Sequence, residues 1–356
     1  MRTAERGNEV RRPRPAGALL LAVPLGVALI CAPEAIEAQS MGEIFRQVNP
    51  SVVVIRAKGR DVEGAGGLTK FNETGSGVLI SKDGRVLTAA HVVHSMDEIN
   101  VEFLGGETVP ARVVSSEPAA DVSLLQLQRV PNGTRVAPLA DSDTVRVGDP
   151  VMVIGAPYGL SHSMSAGWIS ARWPPNSVYR PMPLAEFLQT NATINTGNSG
   201  GPLFSMNGEV IGIVSHNISK SGGSEGLGFV VTINTVKRLL LERPSFWSGL
   251  EGHLLTGPIA QILNVPQPSG YLVKSVARGS VGDALGLRGG TVLITIMGEQ
   301  LVVGGDIILK VQGQPVGELA DHRRVRDILD AVPPGGAFTM TVLRLGQVIE
   351  LKGTHP

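Results

Sequence analysis

The sequence is poor in several things at once. It contains one cysteine, Cys31, so no disulfide can close within the chain and no cysteine-rich metal cluster can be built from it. Aromatic residues make up only 4% of the 356 residues while glycine numbers 45, a balance that suits a turn-rich β protein better than a helical bundle. Neither sign of charge is in excess: 31 Lys and Arg stand against 31 Asp and Glu, which removes the electrostatic case for a nucleic-acid partner. Long apolar runs are scarce too. The strongest, residues 16–31, is broken by Pro24 and falls short of the ~20 residues of a membrane span. It follows Arg2, Arg6, Arg11, Arg12 and Arg14 and leads into small and polar residues up to Ala38. That pattern reads as a secretory signal over residues 1–38, either cleaved or retained as a membrane anchor. Ile30, where a lipoprotein would have a small residue before Cys31, argues against lipidation. Cleavage after Ala38 would leave no cysteine, which suits an oxidising compartment.

What the chain does have is a serine set among glycines, Thr196-Gly197-Asn198-Ser199-Gly200-Gly201-Pro202, after a strand-like run at 187–194. Small neighbours on a tight turn let backbone N–H groups converge on a substrate carbonyl, the requirement for an oxyanion hole. A serine hydroxyl is a weak nucleophile, however, and needs an imidazole to take its proton and a carboxylate to orient that imidazole. Both are available upstream. His91 follows the strand-like Val86-Leu87-Thr88-Ala89-Ala90, and Asp121 stands where Ala119-Ala120 enters the apolar run Val122-Ser123-Leu124-Leu125-Gln126-Leu127. His94 lies three residues beyond His91, but no carboxylate or third ligand has metal spacing, so it reads as a solvated helix face. His216, at the end of the strand-like run 210–214 that borders the expected cleft, reads as an exposed strand-end residue.

The segments around His91, Asp121 and Ser199 resemble the trypsin-like serine proteases, and specifically the HtrA (Deg) group. The likeness runs from about 48 to 241 and includes Gly75-Ser76-Gly77-Val78, Val153-Ile154-Gly155-Ala156-Pro157-Tyr158-Gly159 and Gly226-Leu227-Gly228-Phe229. The chain departs from the group at Ala89-Ala90, where two asparagines are usual, at Thr196, usually proline, and at Ala120, often threonine. No catalytic atom is lost by these changes. The resemblance implies a mostly β protein with two six-stranded antiparallel barrels over 39–242. His91 and Asp121 would come from the first barrel and Ser199 from the second. It also implies an oxyanion hole from Gly197, Asn198 and Ser199, and a primary pocket lined by Ile194, Ser215, His216 and Asn217. No acidic residue stands at those pocket positions, so small or medium aliphatic side chains are the expected preference. Loops at 159–166, 173–183 and 219–225 are the ones the resemblance connects with control of the Ser199 turn.

Local patterning agrees with a β architecture. A short helix is expected at 43–48, a first strand at 52–57, and a surface loop over the glycine-rich and polar stretch 61–73. Strands are expected at 150–157, 167–172, 187–194, 202–204, 210–214 and 228–233, and a closing helix at 234–242 with Val236, Leu239 and Leu240 on one face. A linker at 243–245 then leads to a segment that resembles a bacterial, circularly permuted PDZ domain over 243–356. The likeness rests on Trp247-Ser248-Gly249-Leu250, similar to a carboxylate-binding loop, and on Gly270-Tyr271-Leu272-Val273 and Gly305-Asp306-Ile307-Ile308. Glycine pairs at 289–290 and 304–305 bracket an apparent insertion, 288–304, read as a hairpin turning at 297–300.

Taken together, the resemblance implies a periplasmic or secreted endopeptidase for unfolded polypeptides, with C-terminal peptides held at Ser248, Gly249 and Leu250. It implies no metal or cofactor, and a homo-oligomer, the trimer being the familiar state. The rival reading is a non-cleaving chaperone or peptide-binding adaptor, which absence of a triad residue would favour.

Overall fold

The computed structural model describes residues 40–62, 68–179, 181–243 and 246–355; the expected signal (1–38) and most of the expected linker (Pro244, Ser245) lie outside the described residues. Residues Gln39–Pro356 cluster as one compact unit. It opens with α1 (Met41–Val48), started by a reciprocal cap: the Glu43 N–H donates to Ser40 Oγ and the Ser40 N–H to the Glu43 carboxylate.

Two closed six-stranded antiparallel barrels follow. The first consists of β1 (Val52–Val62), β2 (Leu68–Leu79), β3 (Arg85–Thr88), β4 (Glu98–Glu102), β5 (Thr108–Glu117) and β6 (Val122–Leu127), closed in the order β1-β2-β3-β6-β5-β4. The second holds β7 (Pro150–Gly155), β8 (Ser163–Trp173), β9 (Phe187–Thr190), β10 (Pro202–Ser205), β11 (Val210–Asn217) and β12 (Gly228–Thr232), in the order β10-β11-β12-β9-β8-β7. Each barrel fills its interior with branched aliphatics: Val53, Ile55, Val86 and Leu125 in the first, Val151, Val153, Leu188 and Leu203 in the second. A third cluster, with Val52, Leu87, Val122, Ile154, Phe204 and Ile213, packs the barrels on each other. The cleft between them is therefore set by apolar burial on the outer faces of both barrels, not by a covalent tie.

The expected loop at 61–73 is corrected here. β1 extends to Val62 and pairs with β2 in register, Arg60 opposite Lys70 and Asp61 opposite Thr69, so most of the stretch belongs to a long hairpin. Polar residues mislead there because both faces of the hairpin arm are partly solvated and lack an apolar alternation. β9 likewise stops at Thr190 and not at 194, because Thr190 Oγ1 donates to the Trp168 carbonyl and accepts from Ala192 N–H, turning the chain. The closing helix is two pieces, α3 (Ile233–Val236) and a π-helical turn over Lys237–Glu242, with Val236, Leu239 and Leu240 buried as the pattern requires.

The C-terminal part is a six-stranded sheet of β13 (Leu250–Thr256), β14 (Ser269–Val276), β17 (Ile307–Val311), β18 (Gln314–Pro315), β19 (Ala337–Arg344) and β20 (Gln347–Thr354). α4 (Gly257–Ile262), α5 (Val281–Ala284) and α6 (Leu319–Asp330) accompany it. Residues 288–304 contain a separate two-stranded hairpin, β15 (Val292–Ile296) and β16 (Glu299–Val303), whose turn places Met297 and Gly298 at positive φ. Its inner residues Ile294, Ile296 and Leu301 pack with Leu255, Ala260 and Leu272. Among the described residues no helix is long and apolar enough to cross a membrane.

The sheet is joined to the barrels by a buried ion pair. Arg326 on α6 donates to Glu117 (2.6 Å) and to the carbonyls of Leu239 and Arg243 (both 3.1 Å), and His322 lies 3.4 Å from the same carboxylate. Burial pushes the Glu117 carboxyl up, but His322 and Arg326 together hold it below the usual range. Removing the sole partner of a buried charge typically costs about 3–5 kcal/mol; here His322 and the Ala119 N–H stay on Glu117 when Arg326 is lost, so the cost is smaller. Arg326→Met is expected to destabilise the protein by about 1–3 kcal/mol in denaturant titration, and Glu117→Gln in the same chain to recover part of it. Additive losses would reject the pairing.

Candidate active site

The turn after β3 gives the first component. The chain leaves Thr88 and winds into the one-turn helix α2 (Ala90–Val93), whose second residue is His91. Ala90, Val92 and Val93 are buried, which anchors the turn and leaves the His91 side chain half exposed to the cleft. Asp121 arrives from a 3₁₀ turn over Pro118–Ala120 with φ 55°, a left-handed conformation that Asp tolerates better than most residues. That kink turns a carboxylate inward beneath His91, where it is 2% exposed.

Three donors converge on it. His91 Nδ1 lies 2.9 and 3.0 Å from the two oxygens, the His91 backbone N–H donates at 3.0 Å, and Ser215 Oγ donates at 2.5 Å. An ionised carboxylate can only accept, so His91 Nδ1 carries the proton and Nε2 is left with its lone pair toward the cleft. Burial penalises the Asp121 charge, yet His91 and Ser215 more than offset it and the carboxyl sits below its ordinary range. For His91, burial alone would lower the pKa, but Asp121 outweighs it and the imidazole is raised.

Ser199 comes from the second barrel, on the turn between β9 and β10. Its glycines are dictated by close approach and by φ. Gly197 has φ 99°, and a Cβ there would stand 2.1 Å from the Ala156 carbonyl oxygen; Gly200 has φ 82°, and a Cβ would stand 2.1 Å from Thr88 Oγ1. The turn is pinned to the first barrel by Ser76, whose N–H donates to the Ser199 carbonyl (2.8 Å) and whose hydroxyl donates to the Gly197 carbonyl (2.7 Å). The Thr196 carbonyl accepts from Tyr158 N–H (2.8 Å). A trans peptide points its N–H opposite its C=O, so the Gly197 N–H is turned away from Tyr158. Among the described residues neither the Gly197 nor the Ser199 N–H has an acceptor, whereas the Asn198 N–H donates to the Asn195 carbonyl. The arrangement can therefore offer two amides to an anion. The Ser199 hydroxyl rests on the Ser215 carbonyl at 3.1 Å and must rotate about χ1 to meet His91.

The other expected residues fall in two places. Ile194 is 2% exposed, packed in the core of the second barrel, where the space beside Gly228 brings its Cδ1 within 2.5 Å of a would-be Cβ. Asn217 Nδ2 donates to the carbonyls of Ile194 and Gly223, both at 3.2 Å, which ties the end of β11 to the loop at 219–225. His216 is not the exposed strand end that the sequence suggests: its ring stacks on Phe229 at 5.2 Å, because the strand end is covered by Tyr179 and Phe187. His94 is corrected as well. It is buried, with Nδ1 on Ser116 Oγ (2.7 Å) and Nε2 on Ser248 Oγ (3.3 Å), and burial lowers its pKa to about 4. The reason is tertiary: the C-terminal part covers α2, and Trp247 Nε1 donates to the His94 carbonyl at 2.7 Å.

Ser248, Gly249 and Leu250 thus lie directly against the helix that carries His91. Gly249 has φ 67° and a Cβ there would stand 2.2 Å from Ser280 Cβ, which explains glycine at that position. Beside them is a cavity of about 290 Å³ lined by Leu250, Tyr271, Val325, Leu329 and Met340, with Glu117 and Pro118 of the first barrel forming one wall. Sequence reasoning missed Ser76, the Ser215 bond to Asp121, and Glu117; the Gly75-Ser76-Gly77 string is the one signal that could have flagged the first.

Comparison with known proteins places this geometry. The trypsin-like peptidase domain family matches residues 75–213. A probable periplasmic serine endoprotease DegP-like from Ectopseudomonas mendocina (strain ymp) is 35% identical over 261 residues, 71% of this chain and 54% of the relative. The periplasmic pH-dependent serine endoprotease DegQ of Escherichia coli (strain K12) is 30% identical over 338 residues, 88% of this chain and 70% of that protein. Among solved structures, the HtrA-type protease AlgW with decapeptide aligns with a TM-score of 0.51 and 27% identity, covering 89% of this chain and 98% of that one. The chain spans little more than half the length of the first DegP-like relatives, 54% and 58%. With two trypsin-like barrels and a DegQ relative matched over most of both sequences, this chain belongs to the HtrA/Deg family of serine endoproteases.

Proposed function

We propose that the protein is a periplasmic serine endopeptidase that cleaves exposed segments of unfolded polypeptide through an acyl-enzyme. The observation that carries the reading is the His91–Asp121 pair, its Nε2 lone pair facing the cleft, opposite a Ser199 turn with two unengaged amides. Ser199 Oγ attacks the scissile carbonyl as His91 Nε2 takes its proton. The Gly197 and Ser199 N–H groups hold the oxyanion, with Asn198 fixing the peptide between them. His91 then gives the proton to the leaving amine, and a water repeats the sequence to release the acid. Asp121 keeps the imidazole oriented and stabilises its cation.

Residues 243–356 act in this reading as a PDZ domain, the segment Ser248, Gly249 and Leu250 receiving a C-terminal carboxylate and the apolar cavity beside it the last side chain. The primary pocket that this reading assigns to Ile194, Ser215, His216 and Asn217 has no acidic side chain among those four, which favours cleavage after small or medium aliphatic side chains over basic ones. A homo-oligomer, the trimer above all, is the state the family suggests. A non-cleaving adaptor loses ground because all three triad residues are present.

A fluorophosphonate probe tests the core of the reading without knowledge of the natural substrate. The expected result is a single covalent adduct, mapped by peptide mass analysis to Ser199. No adduct on folded protein, or one at another serine, would reject it.

A further inference from the structure

His216 has no part in the mechanism above beyond lining the cleft, yet it is held as if it had one. In a regular strand, neighbouring side chains point to opposite faces. β11 does not stay regular here: its pairing with β12 shifts register between Val214 and His216, a bulge centred on Ser215. A bulge re-aims side chains, and this one brings Ser215 Oγ and His216 Nδ1 to 3.1 Å of each other. Ser215 is the residue whose hydroxyl donates to the second oxygen of Asp121.

The proton inventory then has one solution. Ser215 has a single hydroxyl hydrogen and Asp121 takes it, so the Ser215 oxygen meets His216 as an acceptor and Nδ1 must be the donor. The ring is thereby the Nδ1–H tautomer, neutral, with Nε2 bare. Among the described residues that buried Nε2 has no partner. Its surroundings are aromatic: Phe229 stacked at 5.2 Å, Phe187 edge-on at 5.5 Å and Tyr179 at 4.5 Å. The charged groups that reach the ring are Asp121, which favours its cation, and His91, which disfavours it. Burial is the largest influence and lowers its pKa, so the ring remains a neutral donor.

We propose that His216 is a positioning residue for the catalytic aspartate: its Nδ1–H fixes and polarises the Ser215 hydroxyl, which in turn anchors one oxygen of Asp121 and leaves the other aligned on His91. The inference rests on the triad reading given above. Hydrogen bonds in series strengthen one another, so the His216 donor makes the Ser215 hydroxyl a better donor to Asp121 than a freely rotating serine would be. Weakening that bond returns negative charge to the side facing His91 and loosens the carboxylate's orientation. The two effects have a joint signature: slower acylation and a more basic His91.

The test measures acylation of Ser199 in the full chain by a fluorophosphonate, resolved into kinact and KI from pH 5 to 9. His216→Phe keeps a ring for Phe229 to stack on but removes the donor. It is expected to lower kinact about three- to tenfold, leave KI within about twofold, and move the acid limb to higher pH. His216→Asn, whose amide N–H can replace the Nδ1–H, should recover most of the loss. In a Ser215→Ala background His216→Phe should have no additional effect, since the link is already cut. An effect confined to KI would leave His216 a pocket residue with no hold on Asp121, and a full effect persisting without the Ser215 hydroxyl would make it a packing residue; either overturns the proposal. If His216→Phe does not fold, His216→Leu takes its place beside the Asn variant: a loss in Leu that Asn recovers supports the relay, and wild-type kinact in Leu, or a loss in Asn equal to that of Ser215→Ala, refutes it. Failure of wild-type Ser199 to label at all would be a failure of the triad reading itself, and the relay would fall with it.

Discussion

Ser199→Ala is expected to lower hydrolysis of an unfolded protein such as casein by about four orders of magnitude or more, while leaving the unfolding midpoint nearly unchanged. The large effect on rate follows because, among the described residues, the other serines beside the site are engaged: Ser76 is buried under the turn with its hydroxyl given to Gly197, and Ser215 gives its hydroxyl to Asp121. The small effect on stability follows from what the hydroxyl does in the resting protein. Its recorded bond is to the Ser215 carbonyl, on a turn otherwise pinned through backbone groups by Ser76, Val214 and Tyr158. Loss of one such bond at a partly solvated site costs on the order of 1 kcal/mol. Casein assays and thermal unfolding of the same preparation separate the two claims. Activity above a few per cent of wild type would mean that another group performs the attack, and a large fall in midpoint would mean that Ser199 is held in place for structure.

Much of this site was legible because its parts are local. A histidine at the end of Val86-Leu87-Thr88, an aspartate at the entry to Val122-Ser123-Leu124 and a serine between glycines each combine a strand end with a small-residue turn, and strand alternation is a short-range signal. The glycine pairs that bracket β15 and β16 announced the hairpin for the same reason. What stayed hidden was set by contacts across the fold. Ser76 and Gly197 are 121 positions apart, and Ser215 and Asp121 are 94 apart. No periodicity within either segment encodes those meetings. His94 was read as solvated because a polar residue at the end of a short helix usually is; only the docking of Trp247 and Ser248 makes it a buried neutral imidazole. The long hairpin of β1 and β2 is hidden for the opposite reason, since Arg60 and Asp61 are both half-buried and the alternation that holds through Gly59 ends there. The bulge at Ser215, which brings Ser215 Oγ onto Asp121 and His216 Nδ1 onto Ser215 Oγ, leaves no mark in the run Val210-Ile211-Gly212-Ile213-Val214 that precedes it.

Asp121→Asn should be nearly as damaging as loss of the serine, at about 10⁴-fold in kcat, the size seen when a triad aspartate loses only its charge. The carboxylate accepts from the His91 backbone N–H, from His91 Nδ1–H and from Ser215 Oγ–H at once. An amide has one accepting oxygen and one donating nitrogen, so at least one of these donors would face another donor. Ser215 can answer by turning its hydroxyl to accept, but His91, whose Nδ1 faces both positions, can accept from the amide only by surrendering its Nδ1 proton to Nε2, which leaves no lone pair to take the serine proton. The same substitution should move the pH dependence in a definite direction. In the wild type, burial favours the neutral imidazole but Asp121 outweighs it, so the His91 pKa is raised above its ordinary value of roughly 6.5. Catalysis needs the neutral ring; kcat/KM should therefore be full at high pH and fall as the pH drops through that raised value. With asparagine at 121 the opposing charge beneath the ring is gone and only the weaker pull of Glu73 still works against burial, so the residual activity should persist to a lower pH than in the wild type. Rates measured from pH 5 to 9 for both proteins decide the matter. An acid limb that stays where it is in the wild type, or a loss of less than tenfold, would show that Asp121 does not set the protonation of His91.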